Sequence, residues 1–200
     1  MTFFSPGLQF PAYWQTMASA FAHAVLGATL GGVLLPARRA WPWWLLAAGC
    51  AVLPDADALG YRLGVPYGSL WGHRGLTHSL LAAAVVATLA TVAAAGVGRR
   101  PALARVWGLL WLATASHGLL DALTTGGLGV AFFSPFDPTR YFFPFRPIRV
   151  SPLGVRAFFG AKGRAVLASE AVWVGLPCAG WWGATALLRG CLTRPARAGG

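Results

Sequence analysis

The sequence predicts an all-α integral membrane protein, a bundle of about five apolar helices with a long aromatic loop at the membrane interface. Three observations predict it. Hydrophobic residues make up 56% of the 200 and charged residues only 10%, against roughly 25% charged in an ordinary soluble domain. Ser79 to Gly98 runs without a charge and is rich in Ala, Val and Leu, about the length that crosses a hydrocarbon core as a helix. The few histidines and acids, 4 and 5 in all, gather in short motifs at the ends of apolar segments.

The first apolar segment runs from Met17 to Leu35. Residues 1–16 carry Pro6 and Pro11 where an apolar signal core would have to be, so they read as a loose leader, with Met17 as an alternative start. Trp41 to Leu53 is a second, short segment; Ser79 to Gly98 the third; Val106 to Ala122 the fourth; and Ala165 to Leu188, interrupted by Glu170 and Pro177, the fifth. Residues 17–190 are expected to form one membrane-embedded domain, followed by a basic tail over 191–200. The loop from Gly126 to Phe159 contains Phe132-Phe133-Ser134-Pro135-Phe136 and Tyr141-Phe142-Phe143-Pro144-Phe145. Aromatic rings favour the membrane–water boundary, so this loop reads either as an interfacial lid or as packing on the helices. Cys50, Cys178 and Cys191 have no zinc or redox spacing and read as buried structural thiols.

The formal charge of +11 raises nucleic acid as a partner, but the 16 cations are dispersed over the loops and form no long basic run, so none is expected. If the five segments thread a bilayer alternately, the histidine and acid motifs all fall on one side. The other side holds Arg38, Arg39, Arg99, Arg100, Arg105 and Arg189, and the positive-inside tendency would make that side cytoplasmic.

An ionisable side chain at the edge of an apolar helix costs several kcal/mol, roughly 2.5–3.5 at the helix centre by insertion scales, and so implies a partner or a function. His117 and Asp121 are four apart and share a helical face. Asp55 and Asp57 follow Pro54 and would enter one pocket from an extended backbone. His73 and His78 are five apart, which suits His73 in a loop and His78 in the first turn of the third helix. With His23 they form a set of imidazoles and carboxylates that fits a divalent transition metal, zinc first, with manganese or iron as alternatives. The competing reading is an interhelical hydrogen-bond network. Asp137 sits between Phe136 and Pro138 and reads as a turn residue. Glu170 is open between ligand, general base and partner of a loop arginine. Arg74 and Arg140 are candidate phosphate anchors because a guanidinium matches a phosphate in fork geometry.

Taken in order, the motifs HA, LPDAD, GHRGLTHSLL, SHGLLDALTTGG, SPFDPTRYFFPFRPI and a late glutamate resemble the membrane-bound metal-dependent hydrolases, also described as LexA-binding, inner-membrane-associated hydrolases. The resemblance runs from about Ala18 to about Trp173. It implies metal or catalytic roles for His23, Asp55, Asp57, His73, His78, His117 and Asp121, with Arg74, Arg140 and Glu170 in support. It also implies a distant similarity to zinc-dependent phospholipase C and the single-strand nucleases of the same helical fold, whose His-x-x-x-Asp pair His117 and Asp121 resemble. The expected activity is hydrolysis of a phosphoester, with lipid and lipid-linked compounds among the candidate substrates, at the membrane face of a bacterial inner membrane. A noncatalytic membrane partner of a regulator and a metal or proton transporter are the alternatives.

Overall fold

The computed structural model describes residues 18–35, 40–95, 102–151 and 160–192. The expected leader, Met17, the loop cations Arg38, Arg39, Arg99 and Arg100, and residues 193–200 of the tail lie outside the described residues. Among the described residues the fold has five helices: α1 (Ala20–Leu34), α2 (Trp41–Val52), α3 (Leu80–Ala94), α4 (Leu103–Ala122) and α5, which begins at Ala161 and passes through a π turn into Leu176–Leu192.

Local chemistry sets the helix starts. Ser19 and Ser79 each stand in extended backbone before a helix, and their hydroxyls accept from the amides of Ala22 and Ala82, which are two of the amides a helix start leaves unpaired. Pro42 opens α2 where no amide is needed. At its other end, Pro54 has no amide to donate back along the helix, and the chain tightens into a 3-10 helix over Leu53–Leu63. A second 3-10 turn, Leu76–His78, leads into α3.

α4 is the central helix and touches α1, α2 and α3. Its buried residues Val106, Leu110, Ala113, His117 and Asp121 follow helical spacing along one stripe. The upper part of that stripe packs with Leu30, Ala47, Cys50 and Ala87 into an apolar core. Its last two turns carry His117 and Asp121. α1 and α2 pack at close range: a Cβ on Gly27 would lie 2.7 Å from the Ala47 carbonyl oxygen and 2.8 Å from the Ala51 Cβ.

α3 turns small residues inward and large ones outward. Ala83, Ala87 and Thr91 are buried, whereas Leu81, Val85, Leu89 and Val92 are exposed. α1 repeats the pattern, with Gly27 and Gly31 inside and Phe21, Val25 and Leu34 outside. A helix in water buries its large apolar side chains. Small residues at helix contacts with large apolar ones outside are the arrangement that suits lipid.

Of the five spans expected, one among the described residues is long and apolar enough to cross a membrane: Ala161–Cys191, 31 residues, with only 11% of its most apolar window buried. α1 and α3 are apolar but 15 residues each, about 22 Å at the α-helical rise. Pro177 does not break α5. The Leu176 amide bonds to the Ala171 carbonyl through the π turn Ala171–Gly175, and this wider turn absorbs the donor that proline lacks. Near the far end, Arg189 donates to the carbonyls of Gly32 and Val33 at the end of α1, which have no helical partner there. Cys50 and Cys178 are buried as expected, whereas Cys191, expected to be buried, is exposed.

The connection after α4 is held by two isolated bridges, Thr124 with Ile148 and Val130 with Tyr141. Phe133, Phe136, Tyr141, Phe143 and Phe145 on it are exposed. Asp137 is a turn residue, accepting from the Thr139 amide at 2.8 Å and from the Tyr141 hydroxyl.

Candidate metal centre

The chain brings all four histidines and three of its acids to one place. α1 supplies His23, the 3-10 helix after α2 supplies Asp55 and Asp57, the turn before α3 supplies His73 and His78, and the end of α4 supplies His117 and Asp121. His23, His73, His117 and Asp121 are at most 1% exposed.

Four atoms converge: Asp55 Oδ1, His78 Nε2, His117 Nε2 and Asp121 Oδ2. The imidazole nitrogens are 3.0 Å apart. Asp55 lies 3.2 Å from His117 and 3.8 Å from His78, and Asp121 lies 3.4 Å from His78 and 3.7 Å from His117. Ligands about 2.0–2.1 Å from a tetrahedral ion stand about 3.3 Å from one another. The observed spacings bracket that value.

The tautomers follow from the outer contacts. His117 Nδ1 is 2.7 Å from the carbonyl oxygen of Ala51, which can only accept, so Nδ1 carries the proton and Nε2 faces inward as a lone pair. That carbonyl belongs to the last turn of α2, where the tightening at Pro54 withdraws the usual helical donor. His78 Nδ1 lies 3.2 Å from Asp57 Oδ2, which likewise directs its Nε2 inward. Two lone pairs 3.0 Å apart require a cation between them, a proton or a metal ion. The oxygens suit a metal ion. Asp55 Oδ1 is buried without a hydrogen bond, and Asp121 Oδ2, equally buried, faces the same point while ion-paired with Arg74, so an ion at their meeting point would meet both carboxylates. The donor set therefore fits a divalent ion, and outer partners that fix the tautomer are the usual support of such sites.

The extended backbone expected at Asp55 and Asp57 is not what forms. In a 3-10 helix, with three residues per turn, positions two apart point to different sides. Asp55 thus meets His117, while Asp57 accepts from His73 Nδ1 at 2.6 Å and from the Thr77 hydroxyl at 2.5 Å. His78 bridges the two acids. Burial works to raise the Asp57 carboxyl, but hydrogen bonds from His73 and His78 outweigh it and hold the group below the usual carboxylate range. His73, on the loop as expected, also completes a second possible ligand group with Asp57 and His78. His78 ends a 3-10 turn and so lies just before α3 rather than in its first turn.

His23 stacks on His117, ring centroids 3.7 Å apart, and its Nε2 is 3.8 Å from Asp121 Oδ1. Neither of its ring nitrogens has a hydrogen bond.

Both arginines have partners within the chain. Arg74 adopts a left-handed backbone, φ 61, that turns its fully buried guanidinium inward; Nε lies 3.0 Å from Asp121 Oδ2, and the other nitrogens donate to Gly126 and Thr124. Gly127 beside it has φ 87, and a Cβ there would lie 2.7 Å from Arg74. Arg140 donates to the carbonyls of Tyr67, Ser69 and His73, holding the histidine loop in place. Glu170 lies outside both groups of possible ligands. It accepts from the amide and hydroxyl of Ser19, both at 2.5 Å. The neighbouring Ala18 amide donates to Asp121 Oδ1 at 3.1 Å.

Several contributors escape a reading of the sequence. The Ala51 carbonyl has no signature at all. Thr77 and Thr124 stand beside the histidine and aspartate motifs, and Ser19 is legible only as a helix cap.

The chain matches the model of a family described as YdjM inner membrane protein over residues 17–191. It is 40% identical over 170 residues to the inner membrane protein YbcI of Escherichia coli (strain K12), covering 80% of this chain and 92% of that one. No solved structure matches.

Proposed function

Because the chain belongs to the YdjM inner membrane protein family, and so to the bacterial inner membrane, we infer that it is a membrane-embedded metal-dependent hydrolase acting on a phosphoester of a lipid or lipid-linked compound. The observation that carries this is the convergence of Asp55, His78, His117 and Asp121, with the side chains of His78, His117 and Asp121 wholly buried.

In this reading these four side chains hold the ion, zinc first, with manganese or iron fitting the same donors. Asp57 and the Ala51 carbonyl fix the two imidazoles, and Arg74 and the Ala18 amide fix Asp121. When bound, the ion supplies acidity to a water and polarisation to a substrate oxygen. Access is at Asp55: its side chain is 11% exposed, whereas those of His78, His117 and Asp121 are wholly buried. The second oxygen of Asp55 is thus the atom placed to take a proton from an entering water. Glu170 is a positioning residue that holds Ser19, and through it Ala18, against Asp121. The small-in, large-out helices α1 and α3 lie in lipid beside α5, and the exposed aromatic loop lies along the interface.

One feature favours a second reading, a structural metal in a noncatalytic membrane protein. Four protein ligands are the complement of a closed structural zinc site, whereas catalytic zinc keeps a position open.

The test is metal content by elemental mass spectrometry on detergent-purified protein, followed by phosphoester and phospholipid turnover. The hydrolase reading expects about one transition ion per chain or more, loss of the metal in a folded His117→Ala, Asp121→Ala variant, and activity that disappears with a chelator and returns with metal. Metal present with no turnover on any phosphoester would move the conclusion to the structural reading. No metal even after reconstitution would sink both.

A further inference from the structure

An open groove lies between the first turns of α5 and the segment that follows the Ile148 bridge. Its walls carry Arg149 and Lys162, and the rest is Thr125 and the apolar Val150, Ala161, Ala165 and Val166. No carboxylate lines it among the described residues. The two cations reach it from different elements, and the wall is firmly built. Thr125 donates to the Ile148 carbonyl and Ile148 to that of Leu123, while the Arg149 amide donates to the Ser169 hydroxyl on α5, itself bonded to the Pro147 carbonyl.

Neither the metal centre nor its arginines use this groove. The arginines of the centre are engaged there: Arg74 is on Asp121, and Arg140 donates to the carbonyls of Tyr67, Ser69 and His73. Arg149 and Lys162 are both exposed, with no ion pair among the described residues. They stand at the start of the helix that is long and apolar enough to cross the membrane, the depth at which lipid headgroups lie.

We propose that this groove binds the phosphate of an acidic membrane phospholipid, with Arg149 and Lys162 as the anchors and Val150, Ala165 and Val166 against the start of the acyl chains. Two cations without an acid match a headgroup with net negative charge, and basic pockets beside membrane helices are the common setting for such lipids. The apolar floor separates a lipid from a free phosphate ion, which would gain nothing from it. The proposal is independent of hydrolysis, because the groove residues hold no candidate ligand.

Lys162 is the only lysine of the chain, which makes the test site-specific. The full-length protein in neutral detergent is titrated with phosphatidylglycerol, phosphatidylcholine or inorganic phosphate, and amine-reactive labelling of Lys162 is followed by peptide mass spectrometry, with lipid adducts counted by native mass spectrometry. Phosphatidylglycerol is expected to slow labelling several-fold and to remain as an adduct, with little effect from the other two. Arg149→Ala should weaken both readouts about fivefold, the share of one cation near a lipid surface, while Arg105→Ala at the start of α4 should leave them unchanged. Equal protection by phosphatidylcholine, or by inorganic phosphate alone, overturns the proposal. So does protection that survives Arg149→Ala, which would reflect general surface charge; because Lys162 is read in the wild-type protein first, a variant that misfolds leaves the main comparison intact.

Discussion

At the scale of single residues, the centre depends on what points each ligand. Asp57 touches none of the four convergent atoms except through His78, so Asp57→Asn should keep the fold yet weaken metal binding about 10–100-fold, read by competition with a chromogenic chelator. Unchanged affinity would mean that His78 needs no outer acceptor. Arg74 poses the opposite problem. Removing it as Arg74→Met leaves the wholly buried Asp121 without its partner, a loss of about 3–5 kcal/mol for a broken buried pair, which bound metal should partly restore; thermal unfolding with and without metal tests both halves. Asp137 offers a case outside the membrane. Hydrogen bonds from Thr139, its side chain before its amide, hold the partly exposed carboxyl below its ordinary range. Its folded value is therefore the depressed one, so the turn's contribution is complete above the ordinary carboxylate range and is lost as pH falls through the folded value. Hydrogen exchange at the Thr139 amide should accelerate on acidification there, and Asp137→Asn should remove that pH dependence.

At the scale of elements, the same residues show how far the sequence could be read. His117 and Asp121 were legible because a four-residue spacing on an apolar helix admits one geometry. Asp55 and Asp57 were legible as candidate ligands but not as a pair that splits, since the split depends on the 3-10 winding that Pro54 starts. Arg74 and Arg140 look alike as phosphate anchors in sequence, and only the folded chain shows one on Asp121 and the other on loop carbonyls. Helix contacts carry a separate demand. α1 and α2 approach so closely at Gly27 that a larger side chain must push the Ala47 backbone away. Gly27→Val should therefore cost about 1–3 kcal/mol and, since the last turn of α2 carries the Ala51 carbonyl that orients His117, lower metal occupancy as well. A loss of stability with full metal retained would show that the two helices can separate without disturbing the centre.

For the whole molecule, the issue is which solvent the bundle was built for, and α3 decides it. Its inward face is Ala83, Ala87 and Thr91, and its outward face Leu81, Val85, Leu89 and Val92. In water an exposed leucine is replaced by a charge at little cost, usually within about 0.5 kcal/mol. In a hydrocarbon core the same charge costs roughly 2.5–3.5 kcal/mol near the middle of a helix. Leu89→Lys, at a position 65% exposed, separates the two environments. If α3 faces lipid, this variant should insert poorly and lose yield in the membrane fraction, whereas Thr88→Lys, which also breaks the bond from Trp107, gives a second charged probe on the same helix. If Leu89→Lys accumulates in membranes at the wild-type level, α3 lies out of the bilayer and the membrane attachment falls to α5. In that event the metal centre would be held on a bundle standing at the membrane surface, and the Asp55 edge would open to water rather than toward headgroups.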